Sequence, residues 1–100
     1  MSQGDDALRI KLNSETATIR WQELEPHYAR GAVVRVAPGL DLVDVAVRFA
    51  RDDTSAVQHW LDEGAVAPAS AEEARAWSET DAPLWAVVTA PWVLVQEPGD

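Results

Sequence analysis

The stretch from Leu84 to Glu97 constrains this chain more than any other. It is the most apolar part of the sequence, and Trp85, Val87, Val88, Val93, Leu94 and Val95 favour extended backbone over helix. Pro91 interrupts it, so the residues form either two strands joined near Ala90-Pro91 or one long bulged strand. The glycine or asparagine of the tightest hairpin turns is missing there. A hairpin alone is marginally stable in water. The rest of the chain must therefore pack on it.

What precedes this stretch reads largely as helix. Asp5 or Asp6 can cap a first helix running to about Ala17, with Leu8, Leu12 and Ile19 near one stripe and Lys11 and Glu15 spaced for pairing. Thr18 is placed to cap a second, in which Trp21, Leu24 and Tyr28 share a side before Gly31 stops it. Pro26 has no backbone N–H to give, so this helix is expected to kink or split into two turns. The clearest helical period is Leu42, Val45, Ala46 and Phe49 behind an Asp41 cap. Continuing that helix would carry its apolar stripe through Asp53. A break at Asp52-Asp53-Thr54 is therefore expected, followed by a new helix, capped at Asp53 or Thr54, that buries Val57, Trp60 and Leu61 and ends at Gly64. Ser70 and Glu73 have the spacing of a capping box, which starts a helix to about Glu79 that buries Ala74 and Trp77.

Two shorter runs complete the reading. Val33 to Val36, closed by Pro38-Gly39, suits a strand, with Arg35 on its polar side or paired with a carboxylate. Val66 to Ala69 carries Pro68 and suits an edge strand or a plain connection. The fold class expected is α+β, with several short helices on a small, mainly antiparallel sheet that includes the C-terminal hairpin. A chain of 100 residues is the size of one domain, expected to span 1–100 with loose ends at about 1–5 and 98–100.

Composition narrows the function classes. With 17 acidic and 8 basic residues the formal charge is −9, which opposes approach to nucleic acid and to anionic lipid. Neither is an expected partner; the two central helices resemble a helix-turn-helix in outline but lack the basic residues for phosphate contact. The absence of cysteine removes disulfides, thiolate catalysis and cysteine-ligated zinc. No apolar run approaches the ~18 residues of a membrane span, and the start of the chain is acidic, unlike a secretion signal. A soluble, cytoplasmic protein is expected.

Candidate chemistry is thin. Five tryptophans exceed what a core of this size needs, so Trp21, Trp85 and Trp92, with Tyr28, are candidates for an interaction surface. Glu23 and His27 stand four apart beside Tyr28, a set capable in principle of proton transfer. His59, Asp62 and Glu63 stand at i, i+3 and i+4, where a helix would bring an imidazole near two carboxylates. Neither set carries the further partners a catalytic or metal centre needs, and a solvated polar face accounts for both. The acidic pairs Asp41 with Asp44 and Asp52 with Asp53 lack the glycine and spacing of a calcium loop and fit helix capping. No phosphate loop or nucleophile motif is present, so no catalytic, cofactor-binding or metal residue is assigned and no cofactor is expected. The expected role is a non-catalytic interaction module that binds a protein partner or a second copy of itself. A small enzyme or ligand-binding protein that uses Glu23, His27 and Tyr28 or the His59 cluster is the alternative.

Three stretches taken together are familiar: Leu12-Asn-Ser-Glu-Thr-Ala17 with Ile19 and Trp21 to Leu24, Leu40 to Ala46, and Leu84-Trp-Ala-Val-Val88 with Pro91-Trp-Val-Leu-Val-Gln-Glu97. From about Leu8 to Glu97 the chain resembles a family of small conserved bacterial proteins catalogued as a domain of unknown function. The resemblance implies a one-domain protein and brings no activity, cofactor or catalytic residue with it.

Overall fold

A computed structural model describes residues 3–98. Its elements run α1 (Gln3–Glu15), β1 (Ala17–Ile19), α2 (Trp21–Ala29), β2 (Val33–Val36), α3 (Leu42–Ala50), α4 (Thr54–Glu63), β3 (Val66–Pro68), α5 (Ala71–Thr80), β4 (Leu84–Thr89) and β5 (Trp92–Gln96). The α+β class holds, with five helices around one five-stranded sheet of order β1-β4-β5-β2-β3. Every pairing is antiparallel except β2 with β5.

The C-terminal segment folds as the hairpin. Its strands pair from Trp85 opposite Gln96 to Thr89 opposite Trp92, through Ala90-Pro91, whose peptide bond is cis. Neither hairpin strand is an edge, because β1 pairs with β4 and β2 with β5. Alternation along the strands then sends side chains to two covered faces. On one face Val87, Leu94, Val34, Val36 and Val66 meet Leu12 of α1 and Leu42, Val45 and Ala46 of α3, with Trp60 of α4 at the margin. On the other, Leu84, Ala86, Val93, Val95 and Val33 meet Leu24 of α2 and Trp77 of α5.

The expected caps at Asp41, Asp53 and Ser70 form. Asp41 accepts from the N–H of Val43 and of Asp44, Asp53 from that of Ala56, and Ser70 from that of Glu73. The Glu73 carboxylate completes its box by accepting from the Ser70 N–H at 3.0 Å. Its other oxygen lies 2.9 Å from Nε of Arg35 on β2. The Arg35 Nε–H is not aimed at that oxygen, so the contact is an ion pair rather than a hydrogen bond, and Nη1 donates to the Gly64 carbonyl at 3.2 Å. Gly64 adopts φ +76 at the end of α4, a left-handed turn that favours glycine.

Several expectations are corrected. The first helix starts at Gln3, ahead of Asp5 and Asp6, and ends at Glu15 rather than at Ala17. Residues 1, 2, 99 and 100 lie outside the described residues. Ile19 and Thr18 belong to β1, an edge strand that three residues were too few to announce, and Arg20 rather than Thr18 precedes α2. Ile19 still packs inward, against the α2/α5 cluster. Helix α2 runs through Pro26 unbroken. Gln22, whose carbonyl loses its helical donor there, is exposed, so water can serve that oxygen. In α4, Val57 and Trp60 are only partly buried and Leu61 is exposed, with Val57 and Leu61 facing a gap between the helix and the sheet that no side chain fills.

Leu94 is fully buried at the centre of the sheet, whereas Val88 near the hairpin turn is 58% exposed. Leu94→Ala should therefore cost about 2–5 kcal/mol of unfolding free energy. Val88→Ala should stay within about 0.5 kcal/mol in the same urea titration.

Candidate functional site

Helix α4 and the neighbouring part of the sheet bound an apolar groove of about 450 Å³. Its position follows from local sequence. After α3 the chain reverses at Asp52, which adopts φ +57, and α4 restarts behind the Asp53 cap. Thr54, Val57, Gln58 and Leu61, spaced i, i+3, i+4 and i+7, form the helix wall of the groove. Phe49 at the end of α3 closes one side. The floor is Val34, Val66 and Pro68, and Trp92 at the start of β5 completes the lining. Strand alternation puts Trp92 on the same face as Leu94, while its place at the hairpin end keeps it clear of α3. Leu61 and Trp92 are 42% and 39% exposed, a large apolar surface for side chains that face one cavity.

The charge on this lining is of one sign. Asp52 and Asp53 border it, and no Lys, Arg or His does among the described residues. Asp53 is held below the usual carboxylate range, first by the Ala56 N–H it accepts at 3.2 Å and then by Arg48, whose Nη1 donates to it at 3.0 Å. Asp52 is exposed, and its carboxylate has no hydrogen bond or ion pair among the described residues. The groove thus offers apolar contact and carboxylates.

Over residues 7–97 the chain matches the family model described as a protein of unknown function, DUF2288. The chain belongs to this family. It is also similar to the solution NMR structure of PA1075 from Pseudomonas aeruginosa, at 44% identity and a TM-score of 0.82, over all of this chain and 93% of that one. Among curated proteins none matches. The family match covers the span over which the sequence resembles such a family, and the structural likeness extends to the α+β architecture.

Within this family fold the aromatic candidates divide. Trp21 and Tyr28 touch across α2 with ring centroids 5.6 Å apart, half-buried on the α2/α5 side of the sheet. Trp85 and Trp92 share the opposite face but lie at the two ends of the hairpin, and only Trp92 lines the groove. Trp77 is buried and donates from its indole N–H to Glu97 at 3.0 Å.

The polar candidates divide as well. Glu23 accepts from the Arg20 N–H at 3.3 Å, and Arg30 donates to Nδ1 of His27 at 2.7 Å, both on α2. On α4, across the sheet, His59 lies 3.3 Å from Glu63 and Asp62 accepts from Gln58 at 2.9 Å. His59 and Asp62 border a shallow open depression on the outer side of α4. No group of three or more His, Cys, Asp or Glu is arranged to hold a metal ion among the described residues, and no helix there is long and apolar enough to cross a membrane. Of the acidic pairs, Asp41 caps α3 and Asp44 accepts from Arg9 of α1 at 2.7 Å.

Sequence reasoning pointed to Trp92 but not to Leu61, Phe49 or Pro68. The period of α4 marks Leu61 as apolar-facing without saying whether anything faces it.

Because the folded value of Asp53 is depressed, the folded state binds fewer protons than the unfolded one in the acid range. Its stabilisation is present above the ordinary carboxylate value and is lost as pH falls through the lower folded value. Asp53→Asn should therefore be less stable than the native chain at neutral pH. The gap should close progressively under acid, read as thermal midpoints across a pH series.

Proposed function

We propose that this protein is a non-catalytic interaction module that binds a partner protein through the groove between α4 and Trp92. The observation that carries this reading is the pair Leu61 and Trp92, both substantially exposed and both lining one apolar cavity. Large apolar side chains at the centre of a concave patch are where protein interfaces concentrate their binding energy, and tryptophan is enriched there.

Two further features support a partner over self-pairing through the sheet. Both hairpin strands are interior, and the outer strands are only three residues long, β3 ending in a proline. Short edges of this kind resist edge-to-edge association. The charge of −9 disfavours nucleic acid and a second equally charged chain alike.

Burying a leucine side chain contributes about 1.5–3 kcal/mol. Leu61→Ser and Trp92→Ser should therefore each weaken partner capture from native lysate by about tenfold or more, while Trp85→Ser should leave it unchanged. Thermal midpoints close to the native one would show that the variants fold. Equal capture by all three variants would remove the groove reading.

A further inference from the structure

Building on the interaction reading, we infer that the segment entering the groove carries a large apolar side chain flanked by lysine or arginine. A cavity of about 450 Å³ admits one or two large side chains rather than a folded surface. What surrounds those side chains is then decided at the rim.

Among the described residues the charged side chains that line the groove are Asp52 and Asp53. Asp53 is already matched by Arg48, but Asp52 presents at the mouth of the apolar lining a carboxylate that has no partner among the described residues. Asp62 and Glu63 follow Leu61 directly, on the exposed side of α4. A cation next to the apolar anchor would meet Asp52 at short range and the field of a chain of charge −9 at long range, which favours encounter as well as register. The same charge opposes a fatty acid or another anionic amphiphile, which would bring its carboxylate to this rim, and it opposes a second copy.

The main chain beside the groove limits how such a segment is read. Ala37 donates to Ala65 and Ala69 to Val33, so the alternate residue Ala67 also points its polar groups at β2. That leaves Val66 facing the free edge, and Pro68 has no N–H to offer. With one outward donor, the strand gives little to an added strand. Recognition must come from side chains entering the groove.

The test is selection from a random peptide library on the immobilised full-length chain, followed by fluorescence titration of the selected peptides. Selected sequences should combine Leu, Phe, Ile or Trp with Lys or Arg. Their affinity should fall about threefold between low and moderate salt, as expected when exposed charges at a rim are screened. Asp52→Asn should weaken them a few-fold and flatten that salt dependence, and Leu61→Ser or Trp92→Ser should weaken them about tenfold or more. Apolar peptides without basic residues, or binding indifferent to salt and to Asp52→Asn but lost in Leu61→Ser, would overturn the inferred partner chemistry and leave the groove standing. Binding untouched by Leu61→Ser and Trp92→Ser would overturn the groove itself. Failure to select any peptide, with concentration-dependent dimers that Leu61→Ser abolishes, would assign the groove to a second copy and overturn the inference.

Discussion

The structure depends on burying both faces of β5. Val93 and Val95 point into the cluster beneath α2 and α5, while Leu94 points into the cluster beneath α1 and α3. A strand apolar on both sides cannot lie at the surface of a sheet covered on one side, so helices must be found for each face. This one requirement sets the layer order, and it explains why the hairpin sits inside the sheet with β1 and β2 added on either side. Gln96 closes the strand with a polar version of the same job. Its amide donates to the carbonyls of Ala37 and Leu40, which fixes the turn that launches α3 across the sheet.

The groove is what remains where that coverage runs out. Helices α1 and α3 cover the middle of one face, and α4 packs beside them at the β3 side, where it buries none of its side chains completely. The helix is held at its ends, by the Asp53 cap and the Gly64 turn, and at its margin by Trp60 packing on the core. Fixed at those points and bridging a gap between them, it keeps Leu61 close to the sheet without contact enough to cover it. An apolar cavity bordered by Asp52 and Asp53 results from the fold's own geometry.

Much of the architecture was legible because its causes are local. The cap at Asp41 followed by the Leu42, Val45, Ala46 and Phe49 period leaves little alternative to a helix, and the Ser70 and Glu73 box is equally direct. Where local signals misled, a longer-range term had won. Pro26 argues for a break, yet its missing bond falls on the exposed side of α2 while Leu24 is fully buried, so packing outweighs one lost hydrogen bond. Strand β1 has only Ala17, Thr18 and Ile19 to declare itself; it is a strand because Leu84, Trp85 and Ala86 offer it a ladder.

The sequence by itself determined most of the element types, the caps at Asp41, Asp53 and Ser70 and the break at Asp52-Asp53, since these follow from backbone preferences and from side-chain periods of 2 and 3.6. Tertiary structure alone decided the parallel pairing of β2 with β5, the separation of Trp21 and Tyr28 from Trp85 and Trp92, and the exposure of Leu61. Each of these is a relation between segments far apart in the chain. A period shows that a side chain is apolar on one side; whether another element arrives to cover it depends on how all the others have packed.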